Sequence, residues 1–165
     1  MTRHIDAKET AVMLRTALKA AFPGVKFSVR KGNGTGSAWL SVSWVDGPTD
    51  TVVAALTNRY KGSEWNLNNN DSYTRNPDVL MAFEGTELPE EIHFSCAGIN
   101  MYRDMSDDAE AKMTTFISAA LNGREYRHEN MEGLVVNGTS IYGIYDVRGA
   151  LWQVFSGTDL SAVLV

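Results

Sequence analysis

A chain of 165 residues with 44% hydrophobic content has the size of one domain, or of two small halves, and can bury a core without covalent staples. Its single cysteine, Cys96, excludes an internal disulfide and any cysteine cluster for zinc or an iron–sulfur centre, and points to a reducing, cytoplasmic setting. The net charge of −5 hides an asymmetry: residues 1–62 carry nine Lys or Arg against four Asp or Glu, and residues 63–165 carry six against sixteen, so the halves stand at +5 and −10.

The opening MTRHIDAKETAVMLRTALKAAF lacks the unbroken apolar core of a signal peptide, because Arg15 and Lys19 interrupt it. No window approaches the roughly 20 apolar residues of a membrane span, so no membrane partner is expected. Residues 6–22 read as a helix: Ala11, Leu14, Leu18, Ala21 and Phe22 recur at helical spacing, Asp6 caps it, and Glu9 fits a reciprocal capping pattern. Pro23 and Gly24 stop that helix. Val25, Phe27 and Val29 then alternate with Lys26, Ser28 and Arg30, and after KGNGTGS a second alternation sets Ala38, Leu40, Val42 and Trp44 against Trp39, Ser41, Ser43 and Val45. These are the two strands of a hairpin. A helix from Thr49 or Asp50 to Tyr60 follows, and the polar stretch 61–78 reads as an extended loop holding Trp65.

Beyond the loop, VLMAF and EIHFSCAGINMY read as strands, with Ile92, Phe94 and Cys96 on one face. SDDAEAKMTTFISAALNG is the clearest helix: Ser106 or Asp107 caps it, acids fill its first turn, and Gly123 closes it. The remainder predicts a three-strand meander turning at Asn137-Gly138 and Arg148-Gly149, with the apolar tail LSAVLV as an edge strand. The expected fold class is α+β, with mostly antiparallel sheet and three helices. Its parts are a basic helix-strand-strand-helix module at 1–62, the loop at 63–78 and an acidic α+β half at 79–165 sharing a core with the first.

Chemistry-bearing sets are few. KGNGTGS has three glycines and a lysine, but a strand follows it and no Lys-Ser or Lys-Thr pair closes it, so a hairpin tip is expected rather than a phosphate loop. Cys96 and His93 lie three apart on a predicted strand, which sends them to opposite faces. Asp104, Asp107 and Asp108 lack the Gly and closing Glu of a calcium loop. No catalytic, cofactor or metal set is expected. Two surfaces for partners remain. Glu84, Glu87, Glu90, Glu91, Asp104, Asp107, Asp108 and Glu110 form an acidic run broken by one base, Arg103, a field suited to a basic partner or simply a solvated face. Lys26, Arg30, Lys31 and Trp39 form a basic, aromatic set suited to nucleic acid, unless the rest of the chain covers that face.

Residues 9–62 resemble the large polyvalent protein-associated domain 29 family of phage, prophage and plasmid proteins. Leu14, Arg15 and Leu18 on the first helix, FPGVKFSVR at 22–30, VSWVDGP at 42–48 and the closing RYKG carry the resemblance. It implies an accessory protein that travels with invading DNA and helps it against host defences, and it supplies no catalytic residues. Joined to the acidic run, it leads to the expectation of a non-enzymatic inhibitor of a host defence complex, of anti-CRISPR or anti-restriction type. The alternative is a nucleic-acid-binding module using the basic hairpin.

Overall fold

The structure, a computed structural model, describes residues 2–33, 38–65, 73–83 and 88–161, with the side chains of Trp65 and Tyr73 outside that description. The tip of the KGNGTGS hairpin, Glu84 and Glu87, and residues 162–165 of the tail lie outside it as well. The chain forms two compact units: Met1–Trp44 with Thr51–Tyr102, and Val45–Asp50 with Arg103–Val165. Residues 63–78 fall within the first, and each unit encloses its own buried cluster. The class is α+β, with five α-helices among the described residues where the sequence predicts three.

In the first unit, β1 (Arg3–Ile5) leads into α1 (Ala7–Ala21). Asp6 caps α1 by accepting from the Glu9 N–H at 2.7 Å, while the Glu9 carboxylate is held by Arg3 at 2.6 Å. Thr10, Leu14 and Leu18 are fully buried, and each of the two leucines contributes roughly 1.5–3 kcal/mol. β2 (Ser28–Lys31) starts later than the alternation predicts, because the Val25 N–H is still bonded to the Phe22 carbonyl of the turn. β2 pairs antiparallel with β3 (Trp39–Val45), setting Ser28 opposite Ser43, Val29 opposite Val42 and Arg30 opposite Ser41. α2 (Asp50–Thr57) and one 3-10 turn (Asn58–Tyr60) follow.

The segment predicted as loop is not all loop. β4 (Ser63–Trp65) and β5 (Tyr73–Arg75) pair antiparallel within it, too short for a periodic signal. Next come β6 (Val79–Met81), β7 (Glu90–Phe94) and β8 (Gly98–Asp104). Besides the two-stranded β4-β5 pair, one three-stranded sheet has the order β1-β7-β6, with β1 parallel to β7, and a second has the order β2-β3-β8. Bonds from Ala97 N–H to Ala38 O and from Asp46 N–H to Asp104 O run β8 in the same direction as β3. The inward faces supply Val29, Leu40, Val42, Trp44, Ile92, Phe94 and Ile99, which meet Leu14 and Leu18 in one cluster.

The second unit is built on α3 (Asp107–Leu121), whose Ala109, Met113, Ile117 and Leu121 are buried. Ser106 caps it, and the Asp46 carboxylate accepts from both the Ser106 N–H (3.0 Å) and its hydroxyl (2.6 Å). Asp46 holds this position at φ 56°, a conformation that its short polar side chain tolerates. α4 (His128–Met131) precedes a hairpin of β9 (Val135–Val136) and β10 (Thr139–Ser140). Its turn residues Asn137 and Gly138 are both left-handed, as a two-residue hairpin requires.

The meander ends there. The second predicted turn, Arg148-Gly149, lies inside α5 (Val147–Gly157), capped by Asp146, which accepts from the Gly149 N–H at 2.7 Å. Buried Ala150, Leu151, Val154 and Phe155 stand three, four, seven and eight residues after Val147, which is the helical stripe.

Arg103, the single base of the acidic run, is the polar centre of this unit. Only 8% exposed, it donates Nε to Asp46 O, Nη1 to Phe155 O, and Nη2 to both Gly47 O and Thr158 O, all at 2.8–2.9 Å. Its guanidinium carbon sits 3.9 Å from the centre of the Phe155 ring. Burial pulls its pKa below the usual value, and the charges of Asp50, Asp159 and Asp46 oppose that pull.

Candidate functional site

The hairpin and β8 leave one sheet face open in the first unit. Strand alternation turns Val29, Leu40, Val42 and Ile99 inward, and so turns Arg30, Trp39, Ser41, Ser43, Asn100 and Tyr102 outward. Trp39 is 37% exposed and Tyr102 is 55% exposed; Arg30 and Asn100 are also exposed. Gly98 seats the indole, because a Cβ there would overlap the six-membered ring of Trp39. The face is therefore two aromatic side chains on a floor of serines and an asparagine, with one cation beside them.

The basic, aromatic set does not assemble as predicted. Arg30 and Trp39 share the open face, whereas Lys31 is opposite Leu40 and so belongs to the other face. Lys26 precedes β2 and lies on a separate pocket with Arg15 and Lys19. The cause is the late start of β2: Lys26 is still in the turn, outside the strand alternation. Tyr102 and Asn100 were missed because the pairing of β3 with β8 joins segments far apart in sequence, which no local pattern announces.

The acidic run is divided between the units. Glu90 and Glu91 are on β7 in the first unit, where Glu90 is 3.4 Å from Arg3 and Glu91 accepts from the Thr2 hydroxyl at 2.7 Å. Asp104, Asp107, Asp108 and Glu110 are in the second unit, and the last three occupy the first turn of α3, where the helix dipole favours them. Their local environment accounts for part of what the composition reads as a field.

Groups with catalytic potential are sparse among the described residues. Cys96 is buried, its thiol donates to the Gly98 carbonyl at 3.3 Å, and burial raises its pKa, which keeps it protonated. His93 Nδ1 lies 2.9 Å from Asp78 Oδ1 and 3.1 Å from Arg75 Nε, and Arg75 also holds Asp78 at 2.8 Å. A protonated Nδ1 donates to Asp78; an unprotonated one accepts from Arg75. Among the described residues no hydroxyl or thiol bonds this imidazole, and no group of three or more His, Cys, Asp or Glu is placed to hold a metal ion. No helix among them is long and apolar enough to cross a membrane.

Comparison with known proteins extends the resemblance seen in residues 9–62. No curated protein and no solved structure gives a significant match. A sequence profile of the large polyvalent protein associated domain 29, a family associated with phage and mobile-element polyvalent proteins, matches residues 5–106. The match runs from the end of β1 through α1, the hairpin and all of β8 to the cap of α3, and so contains the whole open sheet face. Because it spans more than half of the chain and every element that builds that face, the chain belongs to the large polyvalent protein associated domain 29 family.

Proposed function

We propose that this family member is an accessory protein of a phage or other mobile element that inhibits a host defence complex by protein contact, without catalysis, in the manner of an anti-CRISPR or anti-restriction inhibitor. The observation that carries the reading is the open face of β2, β3 and β8. Trp, Tyr and Arg are the residue types that dominate binding energy at protein interfaces, and Trp39, Tyr102 and Arg30 stand together on a rigid sheet. The face favours protein over nucleic acid because among the described residues its strands turn one cation, Arg30, outward, whereas a phosphate-tracking surface needs several.

The test introduces the gene into bacteria with an active CRISPR or restriction system and measures how efficiently a targeted phage forms plaques. The wild-type chain raises plaquing and is captured with a subunit of the defence complex. Trp39→Ala weakens that capture about 30-fold, equivalent to roughly 2 kcal/mol, and the further change Tyr102→Ala abolishes protection while circular dichroism stays native. Protection against none of the systems tested would remove the counter-defence reading, and full protection by the folded double variant would remove the sheet face.

Charge reversal separates face docking from nucleic-acid mimicry. Glu90, Glu91, Asp107 and Asp108 changed together to lysine leave inhibition unchanged if the sheet face is the surface. Loss of inhibition in that folded variant assigns the contact to the acids instead.

A further inference from the structure

The last turns of α1 and the link to β2 form a half-open surface pocket of about 440 Å³, lined by Arg15, Lys19, Phe22, Val25, Lys26 and Phe27. Its volume is that of a small-molecule site. Three cations share it, and none of them forms an ion pair among the described residues. The helix dipole accounts for Lys19, which lies in the last turn of α1, but not for Arg15 or Lys26 on the same pocket. Arg15 is held in place: its Nη2 donates to the Val29 carbonyl at 2.6 Å, which orients the guanidinium and leaves its other N–H groups available.

The same pocket also carries aromatic lining in Phe22 and Phe27. Phe22 and Phe27 lie with ring centres 5.7 Å apart, and Phe27 continues to Trp44 at 5.5 Å, so the rings form a row backed by the core. Charge and lining together select a ligand class. A carboxylate carries one charge and is matched by a single guanidinium fork, whereas a phosphate monoester carries roughly −1.5 to −2 at neutral pH and engages several cations. The apolar lining calls for a planar, weakly polar body on that phosphate. We propose that this pocket binds a nucleoside 5′-phosphate, either free or at the end of a strand. The site is separate from the sheet face and stands whether or not that face docks a defence complex.

Isothermal titration of the full chain, with adenosine 5′-monophosphate, thymidine 5′-monophosphate, adenosine, inorganic phosphate, and a short single strand with and without its 5′-phosphate, tests the proposal. A nucleotide binds at least tenfold more tightly than adenosine or phosphate alone, and added salt weakens it. Lys19→Gln with Lys26→Gln, both exposed, lowers that affinity about tenfold or more with circular dichroism unchanged. Arg15→Lys gives a smaller loss, because charge is kept and the anchored fork is not. Binding of the 5′-phosphorylated strand as tight as that of the mononucleotide assigns the ligand to strand ends; binding of the mononucleotide alone assigns it to the free nucleotide. Equal affinity for adenosine and its phosphate, no binding of any probe at millimolar concentration, or an unchanged affinity in the folded double lysine variant would overturn the site.

Discussion

Replacing Arg103 by methionine destabilises the second unit by about 3–5 kcal/mol, enough to unfold much of it at 37 °C. Methionine fills much of the volume, so the loss is not one of packing. It comes from the four carbonyls that Arg103 serves in a site that water reaches poorly: those of Asp46 and Thr158 are left without the guanidinium donor, while those of Gly47 and Phe155 keep only the backbone N–H of Leu160 and of Thr158. Arg103→Lys restores only part of the loss, because an ammonium has three donors and no planar fork to span these acceptors or to stack on Phe155. Urea unfolding followed by fluorescence reads the effect, since Trp152 packs edge-on against Phe155 at 5.4 Å and reports this unit. A midpoint within error of the wild type for Arg103→Met would show that the carbonyl cage does not hold the unit together.

The corresponding change in the first unit is Gly62→Ala, with an expected loss of about 3 kcal/mol or more. Gly62 is buried, donates its N–H to the Cys96 carbonyl at 2.7 Å and accepts from the Asn76 N–H at 2.9 Å. A Cβ there would fall on the Phe94 carbonyl. Backbone, unlike the end of a side chain, cannot step aside without disturbing β7 between its two partners β1 and β6. Gly24→Ala is the control: Gly24 has φ 96° but open space around its Cα, so its cost is limited to the left-handed conformation, about 1–2 kcal/mol. Equal thermal shifts for the two alanine variants would show that the overlap at Phe94 is relieved cheaply.

How legible the sequence was depends on whether a contact is local. Leu14 and Leu18 announce their helix because the stripe and the Asp6 cap agree, and Val29, Leu40, Val42 and Trp44 announce the inward face of the hairpin through strict alternation. The same alternation marked Trp39 and Arg30 as partners on the other face. Lys26 follows the same alternation in the sequence but precedes the strand, whose start proximity does not show; Lys31 continues the strand and falls with Val29 on the inward face, and Tyr102 gives no local signal because its strand comes from far along the chain. α5 carries both signals at once: the Val147, Ala150, Leu151, Val154 stripe and the Asp146 cap spell a helix, while the Arg148-Gly149 pair inside it spells a turn, and the helix prevails. Arg103 gave no signal at all. Arginine is almost never fully buried unless its donors are satisfied, and here backbone carbonyls, which every residue carries, do the satisfying.

The interleaving of the two units bears on the order in which the protein is made. Residues 45–50 leave the ribosome with the first unit but belong to the second, and the Gly47 carbonyl finds its final donors only in Arg103 and in the N–H of Leu160. At ordinary synthesis rates that wait is on the order of ten seconds. Throughout it, the turn after β3 is a nascent segment with polar groups still hydrated. That interval gives chaperones or early-acting proteases a defined window on a chain whose first unit is otherwise nearly complete.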